Sequence, residues 1–242
     1  MAEPESRDRI LFAARDLFVT EGYEHTTVAR IRADSGVSNG TLFHHFPTKE
    51  AILDAIYTEA MKRINVRYFA VLESSPGSLR ELLRGFIDAI LSFAVEEQDN
   101  ARIVYYLGPL DADSQSKDEL DAESLELIDA VRNALSPYQA SGEVKNVPVS
   151  ALLPIIQGPA HLIAKYWLAD TGQFPAPTNL VEVFTDAAVA GLTGSPSGSS
   201  PPIHPTSGQI AVHLVDQDGN RIASGSAMVD LAAEQPHASV VD

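Results

Sequence analysis

Three helix starts and a glycine stop fall between Thr27 and Thr48, and this spacing restricts the fold more than any other feature of the chain. Thr27, Ser38 and Thr48 are each good N-caps, because a short hydroxyl accepts from the backbone N–H groups that a helix start leaves unpaired. Gly36 follows the first short helix, at the point where a helix end turns left-handed and glycine carries no steric cost. Pro47 ends the second. The apolar positions agree with this punctuation: Val28 and Ile31 form one inner face, and Leu42 and Phe46, four apart, form the next. Ile52, Leu53, Ile56, Ala60 and Ile64 then mark the buried stripe of a long helix. Upstream, Ile10, Ala14, Leu17 and Phe18 predict an amphipathic helix from Ser6 to Glu21, stopped by Gly22. Two short helices joined by a glycine turn and braced by longer ones have the dimensions of a helix-turn-helix.

In that geometry the second short helix enters a DNA major groove and the first lies across the backbone. Ser38, Asn39, Gly40 and Thr41 are small and polar where close approach is needed, while Thr27, His45 and Lys49 stand at helix ends where donors meet phosphates. A net charge of −16 opposes this reading only until its distribution is seen. Residues 1–67 hold nine Lys and Arg against ten Asp and Glu, which leaves eight against 23 for the remainder. From Thr26 to Lys49 the sign reverses, with Arg30, Arg32 and Lys49 facing Asp34 alone. A local field of that kind can favour phosphate although the whole molecule does not. His44 and His45 are poor metal ligands, because adjacent helical residues point about 100° apart.

The stretch TTVARIRADSGVSNGTLFHHFPTKEAIL resembles the N-terminal DNA-binding domain of the tetracycline-repressor (TetR/AcrR) family of bacterial transcription regulators. The resemblance is carried by Thr27, Val28, Ile31, Gly36, Val37, Ser38, Gly40, Thr41, Leu42, His45, Phe46, Lys49 and Glu50. It implies that Asn39, Gly40, Phe43 and His44 face bases and that Thr27, Thr41, His45 and Lys49 hold phosphates of a double-stranded operator; Ser38 and Arg32 are DNA-binding candidates from their own position and charge. Two residues depart from the pattern. Phe43 stands where the family usually has Tyr, and Arg32 where a small residue lets the short helices approach. Either the Arg32 stem runs along the helix toward phosphate or the helix pair opens slightly.

Beyond residue 67 the resemblance extends to helix number and length only. It implies a second helical domain, residues 68–194, that binds an effector and forms a homodimer through its last two helices. The chain itself predicts helices at Leu79–Glu97, at about Ser116–Leu135 with Leu120, Leu125, Ile128 and Val131 inward, and in two further segments. Between them ARIVYYLGP is a short apolar piece cut off by Gly108-Pro109. LLPIIQGPAHLIAKYWL is apolar nearly all round, as in a helix buried on two sides, and Gly158-Pro159 predicts a kink. Ala187, Ala188, Ala190 and Gly191 would let a partner helix come close. Phe86, Phe93, Tyr105, Tyr106, His161 and Trp167 are candidate effector-binding residues, with core packing the competing role for each. The acidic stretch LDADSQSKDELDAE has neither the turn glycine nor the oxygen spacing of a cation site.

Residues 195–208 have a linker's Gly, Ser and Pro content, and 209–242 form an accessory tail in which Ile210, Val212 and Leu214 alternate before an Asp218-Gly219 turn, a β-hairpin pattern. The expected fold is therefore all-α, with a three-helix DNA-binding head on residues 1–67 and this small β appendage. No cysteine, nucleophile elbow, zinc-protease motif or nucleotide-binding glycine loop is present, so neither an enzyme nor a cofactor or metal is expected. No apolar run suits a membrane span and no signal peptide is evident, which makes the expected location cytoplasmic. The expected function is that of a transcriptional repressor, dimeric on a palindromic operator and released by a small, mainly apolar effector. The alternatives are a helical interaction module without sequence-specific DNA binding and, further off, an enzyme.

Overall fold

The structure is a computed structural model and describes residues 5–107, 115–146, 149–169, 175–193, 208–215 and 221–229. The chain divides into two compact units, 1–194 and 195–242. In the first, the helices are α1 (Ser6–Thr20), α2 (Val28–Ser35), α3 (Asn39–His45), α4 (Lys49–Glu73), α5 (Leu79–Glu96), α6 (Gln98–Arg102), α7 (Gln115–Ala140), α8 (Val149–Ala169) and α9 (Val181–Thr193). A π-helical turn, Ile103–Leu107, continues α6, and a 3₁₀ turn, Pro177–Leu180, leads into α9.

The three predicted caps all act as such. Thr27, Ser38 and Thr48 accept from the backbone N–H groups of Arg30, Thr41 and Ala51. Gly36 ends α2 at φ 65°, a left-handed position where a side chain is strained. Helices α1 to α3 and the first part of α4 enclose one core, the head, around Ile10, Leu17, Phe18, Ile31, Leu42, Phe46, Ile52 and Ile56.

The second core is built on α5, whose Leu82, Leu83, Phe86, Ile87, Ile90 and Phe93 are all buried. It packs on α4, α8 and α9. Gly85 permits the close approach to α4: a Cβ there would lie 2.6 Å from Val71 Cγ1. Helix α4 belongs to both cores, supplying Ile52, Leu53 and Ile56 to the head and Ile64 and Tyr68 to the body.

Two packing expectations need correction. Leu125 on α7 is 64% exposed, and Leu127 packs on the body core. One inward stripe cannot be placed by spacing alone on a long helix with few apolar residues. Ala188 is buried within its own chain and unavailable to a partner helix, whereas Ala187, Ala190 and Gly191 are exposed. Helix α7 also begins one residue earlier than expected and runs five further, through Pro137, to Ala140.

The second unit contains β1 (Gly208–Val215) and β2 (Arg221–Val229), an antiparallel pair as its alternation predicts. Ile210, Val212 and Leu214 face Ala227, Gly225 and Ala223 in register. The Asp218-Gly219 turn, the linker residues 195–207, the Gly108-Pro109 stop and the residues beyond 229 lie outside the described residues. No helix among the described residues is long and apolar enough to cross a membrane.

Candidate nucleic-acid interface and effector-binding residues

Helix α3 sorts its residues sharply. Leu42 is fully buried and Phe46, just past its end, nearly so, while Ser38, Asn39, Gly40, Phe43, His44 and His45 are exposed and Thr41 half-buried. The inward pair anchors the helix and leaves one continuous outer face. Phe43 is 47% exposed, an apolar ring on that face. The Ser38 and Thr41 hydroxyls share a hydrogen bond of 2.8 Å. His44 and His45 have ring centroids 5.4 Å apart, and no metal cluster occurs among the described residues.

Thr27 and Lys49 are brought together although they lie far apart in sequence. Lys49 Nζ donates to the Tyr23 carbonyl at 3.0 Å and to the Thr26 carbonyl at 3.2 Å, beside the start of α2, and sits 4.0 Å from the centroid of the Tyr23 ring. The ammonium has three donors, and these two bonds use two of them. Tyr23 in turn donates to Glu50 Oε1 at 3.0 Å. Burial, then Glu50, raises the Tyr23 pKa above its ordinary value. The Glu50 carboxyl is held below its usual range first by a backbone hydrogen bond at the start of α4 and then by Tyr23.

Arg32 is exposed on α2 with no side-chain partner among the described residues. Arg30 is committed to Glu21 and Asp34, at 3.6 and 3.4 Å. Arg9, which no local pattern singled out, fastens the turn between α2 and α3: its Nε donates to the Ser35 carbonyl at 3.1 Å and its Nη2 to that of Gly36 at 2.9 Å. These are carbonyls that a helix end leaves open.

The six candidate effector residues do not form one set. Phe86 and Phe93 are 1% and 0% exposed inside the body core. Trp167 is buried there too, its indole N–H without a partner. Tyr106 is 46% exposed and its hydroxyl bonds the Lys165 carbonyl. Tyr105 and His161 do meet, Oη to Nδ1 at 2.7 Å, and Tyr68, missed by the sequence reading, reaches the other ring nitrogen at 3.5 Å. A cavity of about 220 Å³ in the body is lined by Leu72, Ser75, Pro76, Leu82, Ala134 and Tyr138, and by none of the six.

Burial lowers the His161 pKa from 6.5 to about 4. The folded ring therefore resists a proton that the unfolded chain accepts. Stability is lost as pH falls from 6.5 toward 4, by about 3 kcal/mol across that window. Urea denaturation at pH 7 and pH 4.5 should show the native protein losing about 2 kcal/mol more stability than His161→Gln; equal losses would place the ring in solvent.

Head and body meet at α6 and the π-turn. Arg15 on α1 donates to Asn100 Oδ1 at 3.0 Å, and Asn100 donates to Glu97, which also pairs with Arg63 and Arg67 of α4. Within the π-turn, Ile103 is buried in the head core and Leu107 packs on it, while Val104 and Tyr105 pack on the body core. The turn thus divides its residues between the two cores.

Residues 10–56 match the profile of the family described as bacterial regulatory proteins, tetR family. The HTH-type transcriptional repressor KstR2 of Mycolicibacterium smegmatis is 30% identical over 106 residues, 43% of this chain and 50% of its own length. The HTH-type transcriptional regulator UidR of Escherichia coli K12 is 38% identical over 72 residues, 30% and 36% of the two chains. The chain thus matches half or less of the length of these two curated relatives. The fold is shared with the transcriptional regulator FadR from Bacillus subtilis, solved in complex with stearoyl-CoA, at a TM-score of 0.63 and 19% identity over 76% of this chain and 98% of that one. With its glycine-turned pair α2 and α3, the buried Leu42 and Phe46 beneath an open helix face, and the family profile matched over the same stretch, residues 10–56 form a helix-turn-helix head of the kind found in the tetR family of bacterial regulatory proteins.

Proposed function

We propose that the protein is a transcriptional repressor that binds a palindromic operator as a homodimer and releases it when a small, mainly apolar effector binds the body. The observation that carries this reading is α3, a helix anchored by Leu42 and Phe46 that presents Ser38, Asn39, Gly40, Phe43, His44 and His45 outward. Side chains at the start of such a helix reach base edges in the major groove, while flanking donors hold the backbone. KstR2 is named as a repressor, and the stearoyl-CoA of FadR carries a long apolar acyl chain on a charged coenzyme A, a chain that fits the aromatic and aliphatic body core. The π-turn supports the coupling: a ligand that displaced Tyr105 would move the segment holding Ile103 and Leu107 against the head. A ligand shifts such an equilibrium only by its difference in affinity for the two arrangements.

Retention of promoter fragments in a gel shift, followed by footprinting, tests the reading. Two protected half-sites with centres roughly 34 Å apart, or somewhat more, are expected. A folded protein that retains no promoter fragment above random DNA would favour a helical interaction module.

Base and phosphate contacts separate under mutation. Asn39→Ala should relax discrimination at one base position and cost about 1–3 kcal/mol at the preferred operator. Arg32→Ala should weaken all sequences alike and reduce the slope of log K against log salt by about one. Equal weakening of every site by Asn39→Ala would remove it from the base-reading face.

A further inference from the structure

Tyr68, Tyr105 and His161 come from α4, the π-turn and α8, and meet within the body. Tyr68 is 5% exposed, and its ring lies 5.8 Å from that of Phe86. A neutral imidazole carries one N–H and one lone pair. The two hydroxyls and the ring N–H bring three protons to the cluster, and the two links between hydroxyl and ring use two of them. If Nδ1 bears the proton, it donates to Tyr105 and the Tyr105 hydroxyl is left as the spare donor. If Nε2 bears it, the spare donor is Tyr68. The spare O–H is thus on half-buried Tyr105 in the first tautomer and on buried Tyr68 in the second, and in neither has it an acceptor among the described residues.

The surplus group is a donor, so what the cluster lacks is an acceptor. Among the described residues, no hydrogen bond or ion pair joins Tyr68, Tyr105 or His161 to a charged side chain. A carboxylate or phosphate placed there would be buried without a counter-charge, which is far less favourable than a neutral acceptor.

We propose that the Tyr68–His161–Tyr105 cluster is the polar anchor of the effector site, and that it receives an uncharged molecule through a carbonyl oxygen, as in a ketone, ester or thioester. The proposal rests on the reading of the chain as an effector-released regulator and adds the chemical class of the effector. An apolar body supplies the remainder of the affinity, and the carbonyl fixes orientation. Because Tyr105 belongs to the turn that also holds Ile103 and Leu107, occupation is felt at the head.

Methyl ketones of roughly drug-fragment size, labelled with ¹³C at the carbonyl, are the probes, and NMR of the full chain is the readout. A bound ketone should resonate downfield of the same ketone in hydrocarbon solvent, the signature of a hydrogen-bonded carbonyl. Tyr68→Phe and Tyr105→Phe keep the rings and remove one hydroxyl each. At least one should weaken ketone binding about fivefold or more and return the carbonyl resonance toward its hydrocarbon value. Absence of ketone binding, a bound ketone with a hydrocarbon-like resonance, a response unchanged in both variants, or tighter binding of carboxylates of matched chain length would each overturn the proposal. Promoter retention is measured on the same samples. Retention without any ketone effect overturns the anchor and leaves the regulator standing. A shifted carbonyl in a protein that retains no promoter DNA supports the anchor and overturns the regulator.

Discussion

Phe93→Ala is expected to lower the unfolding free energy by about 3–5 kcal/mol, measured by urea denaturation at neutral pH. The side chain is fully buried in α5, surrounded by the body core, with the Arg67 guanidinium 5.8 Å from its ring centroid. Truncation removes its apolar contacts and leaves a cavity that helices pinned on several sides cannot close. Tyr106→Ala, at a half-exposed ring, should cost well below that, since it loses one hydroxyl bond and little buried area. The contrast matters for function. An aromatic that lines an effector chamber tolerates truncation with modest loss of stability and a large change in ligand preference. A small stability loss at Phe93 would favour the effector wall, the alternative to core packing that its sequence leaves open.

Local chemistry made the head legible. A capping hydroxyl or a left-handed glycine acts on neighbours within four residues, so Thr27, Gly36, Ser38 and Thr48 could be read without knowing what packs above them. Leu42 and Phe46 followed from helical period once those ends were set. The body was legible as helices but not as a site. Whether Phe86 or Tyr105 meets solvent, ligand or core depends on elements far away in the chain. Tyr68 belongs to the same apolar stripe of α4 as Ile64, and only the position of α8, more than 90 residues on, gives its hydroxyl a histidine. The π-turn had no local signal either. IVYYL reads as an apolar piece, and its division between two cores is a property of where α6 delivers it. Arg9 and Lys49 act through carbonyls 23 to 27 residues away, a pairing that neither charge nor periodicity encodes.

Replacing Leu162 and Val183 together by Lys should convert the protein to a folded monomer and reduce operator affinity by about 100-fold or more. Leu162 and Tyr166 on α8 are 56% and 62% exposed, and Val183 on α9 is 58% exposed, with Ala187 and Ala190 at helical spacing beyond it. Their opposite faces, including Leu152, Ile156, Ala160 and Ala164 on α8 and Val181, Ala188 and Leu192 on α9, are already spent on the body core. Beside Val183, Arg80 and Arg84 hold Glu182 at 2.8 and 2.7 Å and fix α9 to α5. An apolar second face on two adjacent helices is what a two-fold interface between copies requires. Lysines on both helices place like charges opposite one another in such an interface, whichever helix pairs with which. The heads keep their own core, so each copy still folds and meets one half-site. The affinity lost is that of linking two half-site contacts, which is on the order of 10²–10⁴. Sedimentation of the variant and gel shifts on the operator measure the two effects separately. A double-lysine variant that sediments as a dimer and holds the operator at native affinity would assign pairing to another surface.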